Sequence, residues 1–208
     1  MLASRTVEDF LAELASASPA PGGGSTSALA GALGSALTAM VCQLTIGKKK
    51  YESVQIEMQE LLEAARRSQR EFVELMEKDT AAFTKVMQAF SLPKDSDEQK
   101  AFRSQAIQIA TTEATQVPLR VMELCDETLA ITASVAEKGN VNSISDAGVG
   151  ALLLSAGCHG AALNVSINLA TLKDATYVEA TKRRVEEIEG SVGRRHALAM
   201  ANVQAALS

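Results

Sequence analysis

Residues 22–46, GGGSTSALAGALGSALTAMVCQLTI, decide the fold. Three glycines break the chain, Ser25 is a residue type suited to cap a helix, and small side chains then recur at helical spacing. Ala28, Ala32 and Ala36 make one row, and Gly31, Ser35 and Ala39 make another. Two such rows let neighbouring helices approach closely on two faces. Residues 146–172 repeat the theme, with Gly148, Gly150, Gly157 and Gly160 inside an apolar helix. Each glycine costs about 1 kcal/mol against alanine in a helix interior, so close packing is the expected compensation. Helices apolar all round are expected to be buried on every side.

Outward from this helix the punctuation stays helical. Thr6 and Asp9 resemble a capping box ahead of Val7, Phe10, Leu11 and Leu14, an i, i+3, i+4, i+7 stripe. Gly47 suits a left-handed position at the end of the second helix. A long amphipathic helix is predicted from about residue 53 to 90, carrying Phe72, Leu75, Met76, Phe83, Val86 and Met87. Ser96 with Gln99 opens another, which Pro118 is expected to kink or interrupt. A turn-rich stretch over 139–145 precedes the second small-residue helix, and a polar amphipathic helix over about 176–207 ends the chain. Strand alternation, repeats and linkers are absent from the sequence. The expected fold is all-α: one domain, residues 1–208, a bundle of about six helices around two buried small-residue-rich helices.

Composition narrows the function classes. The 208 residues are 47% hydrophobic but only 3% aromatic, without Trp, and the formal charge is −5. An acidic chain with so few stacking groups is a poor partner for nucleic acid. Cys42, Cys125 and Cys158 lie in apolar runs without C-x-x-C spacing and read as reduced core thiols, which points to the cytoplasm. Acidic Glu8, Asp9 and Glu13 interrupt the first apolar stretch, so no signal segment is expected. Residues 28–46 and 147–172 are long enough to span a bilayer, yet they carry Thr38, Gln43 and Thr45, and His159, Asn164 and Asn168. No membrane association is expected.

Asp79 is the most informative single residue, since helical spacing places it in the apolar stripe between Met76 and Phe83. Burial there raises a carboxyl pKa and makes a proton shuttle; alternatively, Asp79 lies at the stripe's edge and pairs with a lysine or caps another helix. The Gly22–Ser25 turn either offers backbone N–H groups to an anion or is an ordinary turn capped by Ser25. Lys48, Lys49 and Lys50, beside Tyr51, either complement a helix C-terminus or hold a carboxylate-bearing ligand. Asn140, Asn142, Ser143, Ser145 and Asp146 form a polar loop, and Asn164 and Asn168 stand one turn apart in the following helix. Asp146 either caps that helix or contacts ligand, and the asparagines either bond backbone or recognise a polar heterocycle. Asp146 and Asn164 lie about 27 Å apart along the axis. His159 reads as a packed or interface residue, and two histidines make no metal cluster.

The run PAPGGGSTSALAGALGSALTAMVCQLTIGKKKY, then EKDTAAF, then GNVNSISDAGVGALLLSAGCHGAALNVSINL resembles the cyclodeaminase/cyclohydrolase family acting on tetrahydrofolate one-carbon derivatives. The similarity covers essentially the whole chain. It implies an all-α, dimer-forming protein in which Asp79 transfers protons. It also implies a folate site lined by Gly23, Gly24 and Ser25, by Lys48, Lys49, Lys50 and Tyr51, and by Asn140, Asn142, Ser145, Asp146, Asn164 and Asn168.

The expected activity is that of a methenyltetrahydrofolate cyclohydrolase, with Asp79 activating water and the lysines holding the glutamate tail. The same residues suit a formiminotetrahydrofolate cyclodeaminase. A non-catalytic helical folate-binding protein is the alternative of another class. No metal, and no cofactor beyond the tetrahydrofolate substrate, is expected; the expected partner is a second copy of the chain. With few aromatics, the pterin is expected to be held by backbone groups, asparagine amides and aliphatic walls.

Overall fold

Small residues and self-bonded hydroxyls make this core. In the computed structural model, which describes residues 1–208, six α-helices and no strand are present: α1 (Val7–Leu14), α2 (Gly23–Thr45), α3 (Gln55–Phe90), α4 (Asp97–Lys138), α5 (Ile144–Leu169) and α6 (Ala175–Leu207). From α2 to α6 each helix runs antiparallel to the one before it. Ser25 on α2 meets Asp79 on α3, Arg120 on α4 meets Glu71 on α3, and Asn168 on α5 meets Ala114 on α4.

Helices α2 and α5 approach almost backbone to backbone. A Cβ at Gly34 would lie 2.7 Å from Leu154 and 2.8 Å from the Gly150 carbonyl, and one at Gly157 would lie 2.8 Å from the Ser27 carbonyl. Gly31 leaves room for the ring of Phe72, which is wholly buried. Burying that ring contributes about 1.5–3 kcal/mol. Ser35, Thr38 and Thr45 enter this core without stranding their hydroxyls, because each donates to the carbonyl four residues back. Thr38 also bonds Thr132 of α4 at 2.8 Å. The three cysteines are free and buried, and burial pushes their thiols up, Cys42 to about 11 and Cys158 to about 12.

Most predicted boundaries hold. Thr6 caps α1, Ser96 and Gln99 form the reciprocal capping box of α4, and Gly47 takes a left-handed φ of 78°. Three expectations are corrected. Gly22, not Ser25, is the N-cap of α2; Ser25 sits inside the first turn. Asp146 caps nothing, because the N-cap position of α5 falls on Ser143, and Asp146 lies in the first turn, where a negative charge suits the helix dipole. Pro118 does not interrupt α4, which runs unbroken from Asp97 to Lys138. A proline strips the carbonyl four residues back of its partner. Here that carbonyl belongs to Ala114, and Asn168 Nδ2 of α5 donates to it at 3.3 Å.

Burial on every side holds for only part of α2 and α5. Both are long and apolar enough to cross a membrane by length and composition, and 56% and 50% of their most apolar windows are buried in the bundle. Leu33, Met40 and Leu44 on α2 and Val149, Leu152, Leu163 and Ile167 on α5 remain exposed as one apolar face. His159 lies in this row, exposed, with Nδ1 2.7 Å from the Ser155 carbonyl.

Helix propensity alone makes Gly→Ala stabilising by about 1 kcal/mol. We expect that sign at Gly193 of α6, where an added Cβ meets nothing within 4 Å. The opposite sign is expected at Gly157, where overpacking against backbone costs about 1–3 kcal/mol. Urea midpoints of the two variants check this; a stabilised Gly157→Ala would contradict the close α2–α5 approach.

Candidate active site

The stripe on α3 leaves the core at Asp79. Phe72 and Met76 are buried, whereas Phe83 and Val86 beyond it are half-exposed walls of a cavity of about 360 Å3. Asp79 stands at the inner end of that cavity, beneath the N-terminus of α2. Gly24 packs directly on its carboxyl, so that a Cβ there would overlap the Asp79 oxygens. Ser25, fully buried, donates its hydroxyl to Asp79 Oδ2 at 2.8 Å.

No side chain caps α2, whose N-cap is a glycine. The carboxyl of Asp79, arriving from another helix, occupies the place a capping side chain would fill. Both readings of Asp79 thus meet in one geometry: it is half-buried, and it serves the end of a neighbouring helix. Burial raises its pKa above the ordinary carboxylate value, opposed by hydrogen bonds from the Ser25 hydroxyl and backbone N–H. A carboxyl held between these opposing forces is suited to give and take a proton more readily than an exposed aspartate.

Around Asp79 the antiparallel packing gathers Gly23, Asn164 and Asn168. An added Cβ at Gly23 would lie 3.3 Å from Asn164 Nδ2. Asn164 donates to the Gly160 carbonyl at 2.8 Å, and Asn168 to Ala114. Each amide spends an N–H on backbone and leaves its oxygen uncommitted within the chain. Two wall features escape sequence reading. Thr111 of α4 is 3% exposed and its hydroxyl has no partner within the chain. Its wall position follows from the packing of α4 against α5, where Asn168 meets Ala114. Phe83 and Phe90, two of the five phenylalanines, also line the cavity. The cavity walls are thus aromatic as well as aliphatic.

The remaining candidates lie at the other end of the bundle. Asn140 is buried; its backbone N–H donates to Thr45 Oγ1 and its amide to the Leu44 carbonyl, at 2.8 and 2.9 Å. Tyr51 Oη accepts from the Val141 N–H at 3.0 Å. These two residues fasten the α4–α5 turn to the end of α2. Lys48, Lys49, Lys50, Asn142 and Ser145 are exposed and Asp146 is half-exposed. Along α2, Gly24 and Thr45 are about 32 Å apart. Within one chain this second group does not meet Asp79.

An all-α bundle with a half-buried, raised-pKa carboxyl in an amide-lined cavity defines a candidate acid–base site. Residues 6–187 match the model of the formiminotransferase-cyclodeaminase family, and the chain belongs to that family. It is 45% identical over 198 residues to a methenyltetrahydrofolate cyclohydrolase of Methylorubrum extorquens, covering 95% of this chain and 94% of that protein. It is 31% identical over 204 residues to the formimidoyltransferase-cyclodeaminase of Rattus norvegicus, covering 98% of this chain but 38% of that longer protein. The crystal structure of a formiminotetrahydrofolate cyclodeaminase from Thermotoga maritima superposes with a TM-score of 0.89 at 29% identity, each chain covered completely.

Ser25→Ala removes a bond that favours the ionised carboxyl. The Asp79 titration midpoint, read by carbon-13 NMR, should therefore move upward. A downward or absent shift would show that Ser25 does not set this pKa.

Proposed function

We propose that this chain is a methenyltetrahydrofolate cyclohydrolase working in one-carbon metabolism. The observation that carries the reading is the Asp79 carboxyl, half-buried under the glycine-opened end of α2, in a chain 45% identical to a cyclohydrolase. Water adds to the amidinium carbon between N5 and N10 of 5,10-methenyltetrahydrofolate, and the C–N5 bond then breaks to leave 10-formyltetrahydrofolate. Asp79 takes a proton from the attacking water and returns one to departing N5. The substrate's delocalised cation favours ionised Asp79, offsetting the desolvation that raises its pKa. No electrons change hands, so the reaction calls for no redox cofactor.

Asn164, Asn168 and Thr111 are suited to the polar edge of the pterin, and Phe83 to its face. Cyclodeamination of formiminotetrahydrofolate is the second reading, favoured by the Thermotoga maritima likeness. In that reaction N10 attacks the formimino carbon and ammonia leaves, with Asp79 again moving the proton. The three buried free cysteines suit a reducing compartment such as the cytoplasm.

The exposed apolar face of α2 and α5 supports a homodimer. Its row of Leu33, Met40, Val149, Leu152, Leu163 and Ile167 is continuous and uncharged, of the kind a second copy covers. A two-fold axis through the centre of this face would carry Lys48, Lys49 and Lys50 of one copy towards the Asp79 end of the other.

Offered both substrates, the protein should bleach the methenyl chromophore without releasing ammonia. Chromophore formation with ammonia release would instead establish the deaminase. Asp79→Asn should still bind folate while turning over at least about a hundredfold more slowly; wild type that binds but never turns over would leave a folate carrier. Leu152→Asp with Leu163→Asp should convert a dimer to a monomer by sedimentation equilibrium, and a wild-type monomer would refute the dimer.

A further inference from the structure

Beyond Phe90 the Asp79 cavity adjoins a second one of about 440 Å3, and the two share Phe90 and Thr171 as common wall. Four of its nine lining residues are cations, Lys94, Lys100, Arg103 and Lys173, and none is acidic. They come from three places in the sequence: the α3–α4 turn, the first turns of α4 and the α5–α6 turn. In a chain of net charge −5 this is a concentrated positive bay.

Its geometry is partly fixed. The Arg103 guanidinium donates through Nε and Nη2 to the Phe90 carbonyl, at 3.2 and 2.9 Å, and lies 5.6 Å from the Phe90 ring centre. Three of its five N–H groups stay uncommitted. Lys173 Nζ donates to Ser104 Oγ at 3.0 Å, and its backbone N–H to Gln108. Lys100 pairs with Asp97 at 2.9 Å on an exposed turn, a pairing that costs little to exchange.

We infer that this bay receives the glutamate tail of the folate, a chain of carboxylates, from the same chain that holds the reacting ring at Asp79. The inference rests on the folate reading above. Asp79 and Phe90 are about 16 Å apart along α3. With the reacting carbon at Asp79, the p-aminobenzoyl group lies along Val86 and Met87, and its glutamates emerge past Phe90 among the four cations. A carboxylate tail finds no other cation on the walls of the Asp79 cavity. The Lys48–Lys50 cluster, at the far end of α2, cannot reach it within one chain.

The test compares mono- and pentaglutamyl 5,10-methenyltetrahydrofolate as substrates of the full-length protein. Lys94→Gln, Lys100→Gln and Lys173→Gln together change three exposed side chains outside the core. They should raise KM for the pentaglutamate about tenfold more than for the monoglutamate, as expected of several exposed ion pairs acting together. Added salt should erase the same preference in wild type. Equal loss for both tail lengths overturns the bay. So does a chain-length preference that survives here but disappears in Lys48→Gln, Lys49→Gln, Lys50→Gln. Wild type inert towards both folates would instead fail the folate reading itself, and the bay's ligand with it.

Discussion

The near-contact of the α2 and α5 backbones is what the rest of the molecule depends on. Gly34 against Gly150 and Gly157 against Ser27 leave no room for a side chain between the two helices. Because the pair is antiparallel, the glycine-opened start of α2 falls beside the end of α5, bringing Gly23 to Asn164. The same packing sends Lys48–Lys50 and Asn140 to the opposite end. Closeness at the centre thus decides which motifs share a site within one chain.

Asp79 is held by the fold between opposed effects of known sign. Desolvation disfavours its charge; Ser25 and the N-terminus of α2 favour it. Gly24 belongs to the same device, since its missing side chain is the space the carboxyl occupies. A raised carboxyl pKa also means that the folded chain is most favoured while Asp79 holds its proton, below its unfolded pKa. That contribution fades as pH rises through the folded value, so the ionised form is held at some cost in stability.

Much of this was legible beforehand. The small-residue rows, the capping boxes, the left-handed Gly47 and the position of Asp79 in its stripe are all local signals with a mechanism. What escaped depends on which helix stands next to which. Pro118 reads in the sequence as a kink or an interruption, but its consequence, a carbonyl without a partner, is cancelled by Asn168 from 50 residues away. Ser25 looked like a cap because composition does not reveal a carboxyl arriving from α3. The cations of the bay are scattered over Lys94, Lys100, Arg103 and Lys173, whereas the conspicuous run of lysines sits on the wrong end for this chain's own cavity. Thr111 is one of many threonines until the path of α4 places it on the wall.

The buried cysteines have a practical consequence of their own. Cys42, Cys125 and Cys158 sit on three different helices, α2, α4 and α5, with thiols pushed far from ionisation. The thiolate is the form that attacks alkylating and disulfide reagents, so in the intact bundle burial protects these groups at neutral pH. Labelling at any one of them counts molecules whose core has opened there. The chain therefore carries its own three-channel record of how, and in what order, its central helices come apart.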